Sequence, residues 1–65
     1  MMGEVIHRQQ GLVGIAEDGE EVELGMFAIG SVFPVVAVTD DTVTLEAGDG
    51  TRFTLRREDV VLDPC

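Results

Sequence analysis

Thr42-Val43-Thr44-Leu45-Glu46-Ala47-Gly48-Asp49-Gly50-Thr51-Arg52-Phe53-Thr54-Leu55-Arg56 is the stretch that decides the fold. Val43, Leu45 and Ala47 alternate with Thr42, Thr44 and Glu46; Phe53 and Leu55 alternate with Arg52, Thr54 and Arg56. Period-two alternation gives a strand one buried face and one wet face. The three residues Gly48-Asp49-Gly50 form a short, glycine-bearing hairpin loop. Pairing Ala47 with Thr51 sets Leu45 against Phe53 and Val43 against Leu55 inside, with Glu46 against Arg52 and Thr44 against Thr54 outside. A one-residue slip would oppose apolar to polar side chains, so this register is strongly specified.

Working outward, residues 12–24 predict a second hairpin. Asp18-Gly19 suits a two-residue type I′ turn. Counting from that turn pairs Ile15 with Val22 and Val13 with Leu24 on the inside, and leaves Glu21 and Glu23 outside, opposite Ala16 and Gly14. Glu17, Asp18, Glu20, Glu21 and Glu23 make this tip the most acidic part of the chain, a feature that would steer basic partners.

Val5-Ile6 predicts a first strand, and residues 32–39 an apolar strand buried on much of both faces, with Pro34 at an edge, a strand start or a bulge. Arg57-Glu58-Asp59 reads as one 3₁₀ turn and Val60-Val61-Leu62 as a closing strand. Turn signals recur every 8–12 residues or so, the spacing of a small barrel or sandwich. The expected architecture is all-β: residues 1–65 as one domain, a small five- to six-stranded barrel built from antiparallel hairpins.

The chain has 65 residues, 45% of them apolar, and a net charge of −9. So short a chain buries only about 60% of the surface its unfolded form exposes, so a surface groove or face is expected rather than a deep cleft. The apolar content separates it from disordered acidic tails. Lysine is absent, and Arg8, Arg52, Arg56 and Arg57 stand against thirteen Asp and Glu. Phosphate recognition needs clustered cations, so direct nucleic-acid binding is not expected. One cysteine, Cys65, gives no disulfide framework. The opening Met1-Met2-Gly3-Glu4 has no basic region, and no apolar run reaches membrane-spanning length. A cytoplasmic setting without membrane insertion is the expectation.

No residue pattern supports catalysis. His7 and Ser31 are the only histidine and serine, and no nucleophile elbow surrounds Ser31. His7 reads as a partly exposed strand residue. Cys65 lies near carboxylates that disfavour its thiolate. One His and one Cys cannot build a structural zinc site, the acids lack EF-hand spacing, and no phosphate-binding glycine motif is present. Neither enzyme activity, metal nor cofactor is expected.

Leu24-Gly25-Met26-Phe27-Ala28-Ile29-Gly30 is apolar where a loop is normally polar. It reads either as a plug for one end of a thin barrel or as an exposed patch marking an interface. The candidate partner-binding residues are Leu24, Met26, Phe27 and Ile29, extended by Phe33 and Pro34 on a sheet edge.

Leu24-Gly25-Met26, Ile29-Gly30-Ser31-Val32, Val35-Val36 and Thr51-Arg52-Phe53-Thr54-Leu55-Arg56-Arg57-Glu58-Asp59 together resemble the ferrous-iron transport accessory protein A family over residues 24–62. Related Src-homology-3-like domains end the iron-dependent repressors, and the hairpin from Thr42 is also similar to pieces of the preprotein translocase accessory subunit family. The resemblance implies a small cytosolic Src-homology-3-like barrel that regulates or docks on a larger protein, in that family a membrane ferrous-iron transporter with a GTPase domain. The functional expectation is a non-catalytic interaction or regulatory module with a protein partner, basic in charge. The alternatives are an acidic mimic of nucleic acid and a self-assembling structural subunit.

Overall fold

A computed structural model describes residues 1–27 and 29–63, with the backbone alone for Gln10, Gly25, Met26 and Phe27. Among these residues seven strands follow one another: β1 (Met2–Val5), β2 (Gln9–Ile15), β3 (Glu21–Phe27), β4 (Val32–Val38), β5 (Thr42–Glu46), β6 (Arg52–Arg56) and β7 (Val60–Asp63). A 3₁₀ turn over Arg57–Asp59 precedes β7. All pairings are antiparallel, in the order β3-β2-β6-β5-β4-β1-β7.

The β5–β6 hairpin has the register that alternation demanded. Leu45 faces Phe53, Val43 faces Leu55, and Glu46 faces Arg52. Arg52 Nε donates to Glu46 Oε2 at 3.1 Å, and the Thr44 and Thr54 hydroxyls share a hydrogen bond of 2.9 Å. Val5, Val43, Leu45, Phe53, Leu55 and Val60 form the core. Phe53, the largest fully buried side chain, meets the edge of the Phe33 ring at 5.1 Å between centroids.

The sheet has more strands than the five or six expected, and it is open rather than closed into a barrel. Among the described residues β3 pairs only with β2, and β7 only with β1. Among the described residues the β2–β3 hairpin hangs on β6 through a single pairing, Ile15 with Arg52. Closure would need a second, long-range ladder between the two outer strands.

The β2–β3 register also differs from the sequence expectation. Ile15 pairs with Glu21, Gly14 with Val22 and Val13 with Glu23. The cause is the turn. Ala16 N donates to Glu20 O and Gly19 N to Ala16 O, both at 2.8 Å, so the loop is Glu17-Asp18-Gly19 and has three residues, not two. Gly19 has φ +91°, the left-handed conformation that closes such a loop. The β5–β6 loop repeats it: Ala47 N donates to Thr51 O at 2.8 Å, Gly50 N to Ala47 O at 3.0 Å, and Gly50 also has φ +91°.

Because of the longer loop, Val13 and Ile15 turn outward, and Leu12, Gly14, Val22 and Leu24 turn inward. Gly14 is buried where β2 crosses β6: a Cβ there would lie 2.9 Å from the Arg52 carbonyl oxygen. Strand β4 is not buried on both faces. Val32, Pro34, Val36 and Val38 are exposed, and a bulge between Val35 and Ala37 follows Pro34 directly. The missing N–H of Pro34 is thus placed next to a break in the ladder.

Candidate interaction surface

The exterior of the β2–β3 hairpin joins apolar and acidic side chains in one place. Ile15 is 47% exposed and Val13 50% exposed. Their cross-strand partners are Glu21 and Glu23, both exposed. Ladder parity makes these the close, non-hydrogen-bonded pairs, in which opposed side chains approach most nearly. Along the sheet the row continues from Glu21 through Ile15 and Arg52 to Glu46. Arg52 is occupied by Glu46, so the carboxylates of β3 are not neutralised from that side.

The two hairpin loops lie against each other. Glu17 packs over Gly50, with its Cβ 3.3 Å and its Oε2 3.2 Å from where a Gly50 side chain would begin. Between the tips is an open cleft of about 660 Å³, lined by Ile15, Glu17, Glu46, Asp49 and Arg52 among others. Asp49 accepts a hydrogen bond from Thr51 N at 3.0 Å. That bond, with a contribution from the Thr51 side chain, holds its carboxyl below its ordinary pKa. Asp18 plays the equivalent part in the other loop, accepting from Glu20 N at 3.0 Å. Glu17, Asp18, Glu20, Glu21 and Glu23 lie together on this hairpin, all of them exposed.

The apolar residues expected to bind a partner are dispersed. Leu24 and Phe33 are half-buried and pack on the core. Ile29 is 65% exposed in the turn before β4, and Pro34 is exposed on β4. The side chains of Met26 and Phe27 lie outside the described residues. Pro34 belongs to a second exterior apolar face: it pairs with Met2 and Val32 with Glu4, which in turn sits beside Val61.

One polar cluster was not expected. His7 Nδ1 lies 2.9 Å from Asp59 Oδ1, and since an ionised carboxylate only accepts, Nδ1 carries the proton. Asp59 is buried, with Arg56 Nε 3.5 Å from Oδ2. Burial raises the Asp59 pKa, but hydrogen bonds from His7 and Gln9 and the charge of Arg56 outweigh it, and the net direction is downward. A carboxylate orienting an imidazole occurs in catalytic and metal sites. Here the imidazole is 62% exposed, outside the apolar enclosure that tunes a general base. Among the described residues no group of three or more His, Cys, Asp or Glu is arranged to hold a metal ion. Arg56 also reaches Glu58 at 3.5 Å, whereas Arg57 donates to the Thr39 carbonyl at 3.4 Å. No helix among the described residues is long and apolar enough to cross a membrane.

The signal that would have located Val13 and Ile15 on the outside is a repeat within the sequence. Ala16-Glu17-Asp18-Gly19 and Ala47-Gly48-Asp49-Gly50 share Ala-x-Asp-Gly, and the same loop closes both hairpins. Comparison with known proteins found no matching family model, no matching curated protein and no matching solved structure.

Proposed function

We propose that the chain is a non-catalytic protein-interaction module whose docking surface is the exterior of the β2–β3 hairpin, and that its partner presents a basic segment with apolar side chains. The observation that carries this is the pairing of half-exposed Val13 and Ile15 with Glu23 and Glu21. Covering two half-exposed aliphatic side chains contributes about 1 kcal/mol each. The carboxylates contribute steering and discrimination more than affinity. A cytoplasmic accessory or regulatory subunit docking on a larger protein fits this surface, and the resemblance over residues 24–62 supplies one setting, a ferrous-iron transporter. A Src-homology-3-like origin for the open sheet belongs to the same proposal.

The test is selection of a displayed peptide library on the wild-type protein, on the double variant Val13→Ser with Ile15→Ser, and on Glu21→Gln with Glu23→Gln. Peptides carrying Lys or Arg beside aliphatic residues should enrich on wild type and be lost on the first variant. Enrichment that neither variant changes, or none, overturns the proposal. Retention of basic nucleic-acid-binding proteins at low salt only would point instead to polyanion mimicry.

A further inference from the structure

Building on the docking role proposed above, we infer that the partner segment adds as a strand to the outer edge of β3, and that this edge reads an alternation of basic and apolar residues. Strand β3 is seven residues long and, among the described residues, pairs only on its β2 side. An unpaired edge offers a row of main-chain donors and acceptors to an extended segment.

The loop fixes which groups face outward. Ala16 N donates to Glu20 O at 2.8 Å, so Ala16 and Glu20 form a hydrogen-bonded pair. In an antiparallel ladder such pairs alternate with non-bonded ones. Gly14 with Val22 is then bonded, and Ile15 with Glu21 and Val13 with Glu23 are not. The N–H and C=O of Glu21 and Glu23 therefore point away from β2, toward the open edge.

The same parity sets the side-chain code. An antiparallel segment bonding to Glu21 and Glu23 places the residues directly opposite them on the exterior, about 4.5–5.5 Å away Cβ to Cβ. Lys or Arg at those positions meets two exposed carboxylates. The intervening residues fall on the other face, beside half-buried Val22 and Leu24, where apolar side chains extend the inner layer. The occupant is a basic partner rather than a second copy. Pairing β3 with another β3 would bring glutamates together across the strands, and like charges opposite one another destabilise a sheet.

The probe is a capped heptapeptide alternating Arg and Val, titrated into the full chain at low salt with backbone amide shifts as the readout. Two derivatives separate the modes, one N-methylated at the Arg residues and one at the Val residues. In the inferred geometry the Arg amides bond to β3, so methylation there should weaken binding at least about tenfold by removing those donors. Methylation at Val leaves that edge intact and should change affinity by less than about threefold. Glu21→Gln with Glu23→Gln should weaken the parent peptide about three- to tenfold. Equal binding by both methylated peptides overturns strand addition and leaves the docking face standing. Failure of the parent peptide to bind overturns the inferred code, while the library selection decides the docking role separately.

Discussion

Replacing Gly14 by alanine separates the two registers available to the β2–β3 hairpin, because they give opposite signs. Had the two-residue turn held, Gly14 would face solvent, and alanine would stabilise the protein by about 0.4–1 kcal/mol through a less flexible unfolded chain. In the structure the new Cβ lies 2.6 Å from Leu24 Cδ1, 2.9 Å from Thr51 Cγ2 and 2.9 Å from the Arg52 carbonyl oxygen. Leu24 can swing its methyl aside. The Arg52 carbonyl belongs to the backbone of β6 and cannot move without disturbing the Ile15–Arg52 pairing that joins β2 to β6. Overpacking of this kind costs about 1–3 kcal/mol. For a domain this small, each kcal/mol shifts Tm by about 4–8 °C. Thermal unfolding of Gly14→Ala by circular dichroism should therefore show a fall of at least about 4 °C. The companion variant Ile15→Ser, at a half-exposed site, should stay within about 1 kcal/mol of wild type. A stabilised Gly14→Ala, or an Ile15→Ser that loses the 2–5 kcal/mol or so typical of a core aliphatic, would refute the register and with it the docking face.

The paired loops predict that Gly19→Ala and Gly50→Ala each lose about 1–2 kcal/mol, since both glycines have φ +91°; urea melts should show Gly50→Ala as the worse, because its Cβ also meets Glu17. Asp59 has its pKa lowered in the folded state, so it adds stability above the unfolded-state value near 3.8 that disappears as pH falls through the folded value. The stability gap between wild type and Asp59→Asn should accordingly be full at pH 7 and shrink below about pH 4; in His7→Ala the Asp59 titration followed by carboxyl carbon shifts should move up. Phe33→Ala should destabilise by more than about 1 kcal/mol through loss of its edge contact on Phe53, whereas Ile29→Ser in the exposed turn should change stability by no more than about 0.5 kcal/mol.

The β5–β6 hairpin was legible because two independent signals agreed: strict alternation and a loop whose length could be counted. In the β2–β3 hairpin they conflicted. Leu12, Val13, Ile15 and Ala16 offer apolar side chains at both parities, so the loop alone decided the register, and Asp18-Gly19 reads equally well as a two-residue turn or as the end of a three-residue one. Counting β-branched residues favours Val13 and Ile15 inside. The structure instead buries Gly14, because β2 passes too near the β6 backbone for any side chain. The acidic half of the proposed docking surface was plain from composition: no basic residue stands between Arg8 and Arg52. Its apolar half was hidden by the one-residue slip. That the sheet stays open was not legible either, since closure depends on whether β3 and β7 meet, and neither sequence carries a local signal for that. The His7–Asp59 contact spans 52 positions and has no local signature.

The two exterior apolar faces should respond to salt in opposite ways, and this separates binding of a basic partner from self-association. At the β2–β3 face two copies would bring Glu21 and Glu23 of each together, within a tip that also carries Glu17, Asp18 and Glu20. A basic segment bound there gains from the same charges. Raising salt from 0.01 M to 0.15 M shortens the Debye length from about 30 Å to about 8 Å, so partner binding should weaken. The face formed by β1, β4 and β7 carries Val32, Pro34 and Val61 around Glu4, with Asp63 beside Met2 at its end, fewer carboxylates than Glu17, Asp18, Glu20, Glu21 and Glu23 give the β2–β3 hairpin. Contact between copies there is opposed mainly by the overall net charge of −9, and screening relieves that repulsion. Sedimentation equilibrium across this salt range, on the protein alone and with the alternating peptide, reads both. Peptide affinity that rises with salt, or self-association that falls with it, would contradict the division of roles between the faces.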